Sequence, residues 1–435
     1  MPRPNILLIN CHDLGRHLNC YGVPTVHSPN IDRLASESVR FAQSFCVAPQ
    51  CSPSRAAFFT GRYPHSNGVM GLSHANFAWD LHPEERHLAG ILRGGGYRTA
   101  LVGVQHETCR PGEMGWQRIE QPRGLRMAPE VSEAAVSVLD DVAGGSEPFY
   151  LQVGFIEPHR AFLRGSTKPD REKGVTVPPF IKDEESSRQD FAEYQGAIRT
   201  LDEGVGRILA ALDAAGLRQN TLVLFTSDHG MPFPLAKCSL YDPGLQVPLI
   251  MRWPERGWTG GRVHDPMIPN IDVLPTLLDA VGLPAPVNVQ GRSFLDLLDG
   301  RPYARRQEMF GEMTYHDYYD PMRCIRTERW KLIVFFTCCQ SYMNPMQQAR
   351  PMSVESAAFP KPWPDGKHDV MELHDLAAEP WEKTDLAKSE AHAAVRADLL
   401  ARLARWMRDT GDPILKGIPL SPLHRRAVAM LEAAM

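Results

Sequence analysis

No stretch of the 435-residue chain approaches the roughly 20 consecutive apolar residues that a membrane-spanning helix needs. Neither sign of charge dominates: 47 basic residues against 51 acidic ones leave a formal net charge of −4, without the electrostatic footprint of a nucleic-acid binder. An anionic substrate must therefore be drawn in by a local pocket rather than by the field of the whole molecule. The nine cysteines contain no Cys-x-x-Cys pair, and the adjacent Cys338 and Cys339 stand too close together for a zinc knuckle. An odd number scattered along the chain is no disulfide framework either. They read as buried, reduced thiols, with Cys51 set apart below. There is no internal repeat, which excludes a solenoid. The opening Met1–Gly15 stretch has an apolar run only from Ile6 to Ile9 and no small-residue cleavage site. No secretory leader is expected, and the expected location is cytoplasmic.

What is present fits a soluble globular chain, with 43% hydrophobic and 23% charged residues. The length suits a large domain with a smaller one attached. Short apolar runs alternate with helical patterns: NILLIN, YRTALVGV and FYLQVGFI read as buried strands, and SPNIDRLASES as a capped helix. The clearest unit is RTLDEGVGRILAALDAAGL followed by NTLVLFTSDHG. Leu201, Val205, Ile208, Leu209 and Leu212 share a helical face, Gly216 stands at the C-terminal cap, and Thr221–Phe225 is a strand. Such alternation predicts an α/β fold with a doubly wound, mainly parallel central sheet. Past Gly300 the pattern changes. RCIRTERWKLIVFF and DVMELHDL read as strands of a smaller sheet, and EAHAAVRADLLARLARWMRD as an amphipathic helix. The boundary is set near Arg306, giving a catalytic-size unit over 1–306 and a C-terminal α+β subdomain with an antiparallel sheet over 307–435. Between its strands, the Pro- and Met-rich stretch 343–366 reads as a long loop or insert. The apolar-faced tail PLHRRAVAMLEAAM could pack on its own domain or on a second copy in a homo-oligomer.

In parallel α/β sheets, ligands gather beyond the carboxyl ends of the strands. Two strands here run into donors: LLIN into Cys11-His12-Asp13, and LVLF into Thr226-Ser227-Asp228-His229. Four oxygen and nitrogen donors, His12, Asp13, Asp228 and His229, would suit one divalent cation. On strand ends alone, the two aspartates could equally cap the helices that follow.

A denser signal is CSPSRAAFFTGR, from Cys51 to Arg62. It resembles the signature C-x-P-S-R-x-x-x-T-G-[RK] of the sulfatase family in the alkaline phosphatase superfamily, and every fixed position is satisfied. The resemblance implies an alkaline phosphatase-like fold and a Cys51 oxidised after translation to formylglycine by a formylglycine-generating enzyme. A hydrated aldehyde offers two hydroxyls on one carbon: one attacks sulfur, and the other collapses to the aldehyde and expels sulfate. A serine could not do the second. PNILLINCHDLG is similar to the family's P-N-I-x-x-I-x-x-D-D-x-G, so His12 stands where a metal aspartate usually does. TSDHG matches T-S-D-[NH]-G. By the same resemblance His106 of GVQHET is the base that triggers sulfate release, His159 of EPHRAF contacts the sulfate or leaving group, and Lys237 of AKCSLYDPG binds sulfate. Arg55 adds positive charge at the nucleophile.

Two positions depart from the family. His12 removes a negative charge, so Ca2+, common in the family, gives ground to Mn2+ or Mg2+. Val104 replaces the lysine of G-K-W-H-x-G, and Gln105, Arg55 or a loop residue must cover its role. His65 of GRYPHSNG would line the pocket wall or sit idle in a turn. SDHGMPFPLAKCSLYDPG and DPMRCIRTERWKLI resemble the sulfamidase-like (heparan N-sulfatase-like) members, which implies His316, Asp317 and Arg323 as substrate-binding residues. The expected substrate is a small anionic sulfate ester or a sulfated amino sugar. Phosphonate monoester and phosphodiester hydrolases share the nucleophile and form the alternative. A non-catalytic binding protein on the same scaffold is the third reading; only His12 and Val104 favour it.

Overall fold

The computed structural model describes residues 3–121, 127–337 and 369–433. The stretch 343–366 and the Cys338–Cys339 pair lie outside the described residues. An eight-stranded sheet forms the centre. Its spatial order is Arg118–Glu120, Arg98–Gly103, Phe149–Gly154, Asn5–Cys11, Thr221–Ser227, Leu249–Arg252, Val39–Phe41 and Arg262–His264. Every neighbouring pair is parallel except the two made by Leu249–Arg252, which runs against both of its neighbours. The sheet is thus the mixed, mostly parallel one the alternation predicts.

Its central strands are continuous apolar runs because both faces are covered. Leu7, Ile9, Val153, Val223 and Phe225 face the long helix Glu185–Ala214 and the helix Ala128–Val142 on one side. Ile6, Leu8, Tyr150, Leu222 and Leu224 face Leu88–Gly94 and Val273–Ala280 on the other. Leu201, Val205, Ile208 and Leu212 are fully buried, each contributing roughly 1.5–3 kcal/mol of apolar transfer energy. The helix ends as expected, with Gly216 in the left-handed conformation (φ +69°). It begins fourteen residues before Arg199, where the sequence pattern first becomes plain. The added turns bury Asp190 and Gln195, polar residues that break the apolar period and find partners in the loop 160–174.

A second, four-stranded antiparallel sheet follows: Glu308–Tyr315, Tyr319–Thr327, Trp330–Phe335 and Met371–Asp375. Helix Ala393–Asp409 covers it with Leu399, Leu403, Trp406 and Met407. The same cluster includes Val47, Ala57 and Tyr63, which flank or belong to the segment that carries Cys51. The last helix, Pro422–Glu432, buries none of its residues. No described helix is long and apolar enough to cross a membrane.

One buried carboxylate offers a test of this packing. Glu157 Oε1 accepts the Ala128 amide at the start of helix Ala128–Val142 (2.7 Å), while Oε2 is buried without a partner. Burial pushes the Glu157 carboxyl up to about 7. A folded-state value above the ordinary one means stability that is fully present below pH 4.5 and lost as pH rises through 7. Glu157→Gln keeps the acceptor and removes the charge. Its advantage in unfolding free energy over the parent should widen from pH 5 to pH 8, reaching on the order of 1–3 kcal/mol in denaturant titrations. A gap that does not change with pH would show that Glu157 is not the ionising group.

Candidate active site

Strands Asn5–Cys11 and Thr221–Ser227 are parallel and in register, with Cys11 beside Ser227. The residues that follow each strand therefore emerge side by side. The Asp228 carboxylate locks the two exits together: its Oδ1 accepts the backbone amides of Asp13 and His229, each at 2.9 Å. Asp13 is held at φ +54°, a left-handed conformation rare for a non-glycine residue. The Tyr194 hydroxyl, 2.8 Å from both the Asp13 and Leu14 carbonyls, pins that turn. Gly230 completes the strand end, since a Cβ there would stand 2.0 Å from the Pro243 carbonyl oxygen.

The segment Cys51–Thr60 is a helix, closed by Gly61 in the left-handed conformation (φ +67°). Its first residue is Cys51, so the thiol sits at a helix N-terminus, where a negative charge is favoured. The Ser54 hydroxyl donates to the Asp228 carbonyl, and Asn270 Nδ2 holds Ser54 Oγ (3.1 Å). These bonds dock the helix on the strand ends. Cys51 Sγ comes to 3.4 Å from His229 Nε2.

Around the thiol the expected donors converge. His12 Nδ1 is 3.0 Å from Asp228 Oδ2, and Lys237 Nζ donates to both oxygens of Asp13 (3.0 and 2.8 Å). His229 Nε2 is 3.1 Å from Asp13 Oδ1, and His159 Nε2 is 3.8 Å from Asp13 Oδ2. The ring of His106 lies 4.7 Å from that of His12. One ligand atom from each of His12, Asp13, Cys51 and Asp228 falls within 4.8 Å of the others, all buried. His12 Nε2 has no hydrogen-bond partner there. This mixed imidazole and carboxylate set fits a divalent cation. His229 stays outside that group, between Asp13 and Cys51.

The charges are strongly coupled. Burial alone would raise the Cys51 thiol, yet Lys237, His229, His106 and His12 together pull it well below its ordinary value. Burial opposes charge on His229 too, but Asp228, Asp13 and Cys51 lift its imidazole to about 10. Asp13 and Asp228 lie far below the usual carboxylate range: Lys237 acts on the first, His229 and Arg55 on the second. His106 and His159 go the other way, pushed down to about 4 mainly by burial. Both imidazoles are therefore neutral at neutral pH and able to accept a proton.

Several residues stand differently from what the sequence suggests. Arg55 does not front the open side of the site: Nε and Nη2 each lie 3.2 Å from Asp228 Oδ2, and Nη2 also donates to the Cys11 carbonyl (3.0 Å). It positions a carboxylate. Gln105 is spent on its own turn, with Nε2 on the Thr108 carbonyl (3.0 Å), and Val104 is buried core. His74 lies 4.4 Å from His106, ring to ring, and within the field of Cys51. Nothing in GLSHANF marks His74 out; only the fold brings it there. His316 and Asp317 form a pair (2.9 Å) at the turn between strands Glu308–Tyr315 and Tyr319–Thr327. Burial opposes charge on His316, yet Cys238, Asp317 and Cys51 raise its imidazole well above the ordinary value.

Arg323 is a correction. It is fully buried, with Nε and Nη2 on Asp412 (2.5 and 3.0 Å) and Nη1 on the Met313 and Met322 carbonyls, leaving it no role toward a ligand. His65 belongs to the same structural knot, paired with Glu312 and packed edge-on against Trp406. Strand side chains alternate faces, and Arg323 falls on the face turned to helix Ala393–Asp409 and its following turn.

With this geometry in place, the likeness to known proteins can be read. The Sulfatase family model matches residues 4–283. The chain belongs to the sulfatase family. That makes it a hydrolase of sulfuric esters or sulfamates. A second model, the C-terminal part of N-sulphoglucosamine sulphohydrolase, matches residues 230–357. Human N-sulphoglucosamine sulphohydrolase is 29% identical over 462 residues, covering 94% of this chain and 91% of that protein. Among solved structures, one in complex with its substrate D-glucosamine-2-N,6-O-disulfate superposes with a TM-score of 0.72 at 19% identity, covering 94% of this chain and 98% of the other. A phosphonate monoester hydrolase of Agrobacterium radiobacter gives 0.73 at 22% identity, covering 94% and 96%. These two likenesses concern the fold.

The reassignment of Arg323 has a direct consequence. Arg323→Met leaves Asp412 and Glu312 buried without their cation and should cost about 3–5 kcal/mol in denaturant unfolding. The KM for a small aryl sulfate should stay within about twofold, because no substrate contact is lost. A raised KM with unchanged stability would return Arg323 to the pocket.

Proposed function

We propose that this sulfatase hydrolyses the sulfate ester or sulfamate of an amino sugar, using a formylglycine made from Cys51 and one divalent cation held by His12, Asp13 and Asp228. The observation that carries the reading is Cys51 itself. It stands at a helix N-terminus, 3.4 Å from His229, in one buried cluster with those three donors. A hydrated aldehyde at this position gains acidity and orientation from a cation held beside it. The metal, when bound, supplies charge that steadies the nucleophile's oxygen and the sulfuryl oxygens. The imidazole of His12 favours Mn2+ or Mg2+ over Ca2+.

The remaining chemistry falls to the chain's own groups. Lys237 is a buried ammonium on Asp13, and its field at Cys51 is also available to a sulfuryl group bound there. His229, charged at neutral pH, donates toward the atom at position 51. His106 is neutral, buried, and has a free Nδ1, so it can take the proton whose removal releases sulfate. His159 flanks Asp13 on the partly open side, and its neutral imidazole is placed to contact the sulfate or the leaving group. Asp317, half-buried and held ionised by His316, offers a carboxylate to an amino or hydroxyl group of the sugar. The match to the C-terminal part of N-sulphoglucosamine sulphohydrolase and the neighbour that binds glucosamine disulfate support an amino sugar.

Peptide mass spectrometry across Cys51, on protein co-expressed with a formylglycine-generating enzyme, should find the aldehyde. N-sulfoglucosamine, an aryl sulfate and an aryl phosphonate are then assayed side by side. Cys51→Ala should lower turnover by at least about 10³-fold. Removal of metal with EDTA should abolish it, with Mn2+ restoring more activity than Ca2+. An unmodified thiol with no turnover, despite an active modifying enzyme, would overturn the mechanism. A preference for the phosphonate would turn the assignment to the activity of the Agrobacterium neighbour, whose fold this chain shares.

A further inference from the structure

A cavity of about 430 Å³ opens beside the strand-end loops, apart from the Cys51 cluster. Tyr21, Phe180 and Trp381 form aromatic walls, and Arg16 and His17 lie among its lining. The Phe180 and Trp381 rings pack with their centroids 5.8 Å apart. The Arg16 guanidinium rests on the Tyr21 ring at 4.9 Å, and Arg40 reaches the same ring at 5.0 Å.

Arg16 has no carboxylate. Among the described residues no ion pair or hydrogen bond reaches its side chain, and Nε is sealed from solvent without a partner. His17 Nε2 is a second buried polar atom without one. Arg16 is half-buried, and the contrast with the fully buried guanidiniums is sharp. Arg55 is paired with Asp228, Arg160 with Asp190, Arg252 with Glu37, Arg323 with Asp412 and Arg326 with Asp242. The one carboxylate lining the cavity, Asp242, is already taken by Arg326 (2.9 Å) and Lys331 (2.6 Å). Burial pulls the Arg16 pKa down, Tyr21 and Asp242 oppose this, and Arg40 and Arg326 add to it. A half-buried guanidinium that faces a cavity with no counter-ion among the described residues gains from a ligand that supplies one.

We propose that this cavity binds a small carboxylate with a flat apolar face, its carboxylate on Arg16 and its body against Tyr21, Phe180 and Trp381. The planar guanidinium matches a carboxylate fork, and aromatic walls match either an aryl ring or the apolar face of a sugar acid. One guanidinium without a carboxylate partner in the lining matches a single negative charge, so a monoanion is favoured over a phosphate ester. The site is independent of the hydrolytic reaction.

The test is calorimetric titration of the full chain with 2-naphthoate and, separately, with glucuronate, which distinguishes an aryl from a sugar acid. One of the two should bind at one per chain. Cys51→Ala should bind it equally, whereas Arg16→Met and Trp381→Ala should each weaken it by about tenfold or more. The uncharged alcohol analogue of the same body should bind at least about tenfold more weakly. Trp381 is partly exposed, so its variant serves if Arg16→Met folds poorly. Three results would overturn the proposal: no saturable binding of either acid, binding indifferent to Arg16→Met and Trp381→Ala, or loss of binding in Cys51→Ala.

Discussion

Two buried carboxylates, Asp13 and Asp228, impose the constraint on which the rest of the site depends. Each such charge costs several kcal/mol to desolvate unless it is paired, on the order of the stability of a whole domain when summed. The fold answers with Lys237 on Asp13, Arg55 on Asp228 and His229 against both. Three cations face two anions, and the surplus falls on position 51. That surplus is why the Cys51 thiol lies so far below its ordinary pKa. It is equally what a sulfuryl group entering the site would meet.

The same carboxylates explain the backbone. Asp228 ties the two strand exits by accepting the amides of Asp13 and His229, and its own carbonyl receives Ser54 from the signature helix. One residue thus joins strand, strand and helix, and fixes where the helix N-terminus points. Arg55 belongs to this scaffold. Its place one turn into the helix puts the guanidinium against Asp228 and the Cys11 carbonyl, where it holds that carboxylate in position. The second sheet enters through the His316–Asp317 turn, and the helix Ala393–Asp409 anchors that sheet to the segment around Cys51 through Val47, Ala57 and Tyr63. The C-terminal part therefore brings the His316–Asp317 turn toward the Cys51 cluster and braces the segment around Cys51.

Local patterns carried much of this. The apolar runs Ile6–Ile9 and Leu222–Phe225 announce strands buried on both faces, because no polar residue could survive there unpaired. The signature from Cys51 to Arg62 announces a helix with a special first residue, since Gly61 ends it and Cys51 begins it. Where polar residues are buried beside apolar ones the pattern fails, as in the first half of helix Glu185–Ala214. There Asp190 answers Arg160 and Gln195 answers two carbonyls from a distant loop. Periodicity cannot see a partner supplied by another part of the chain.

The sequence by itself determined the fold class, the family signature from Cys51 to Arg62 and the residues beyond each strand end, because these follow from period, spacing and a dense local motif. Only the tertiary structure decided what each polar side chain faces. It took Arg323 out of the pocket by giving it Asp412, brought His74 beside His106, and left Arg16 in an aromatic cavity without a counter-ion among the described residues. The physical reason is that a charge's role is set by its nearest opposite charge, and for these residues that neighbour lies scores of positions away or is absent.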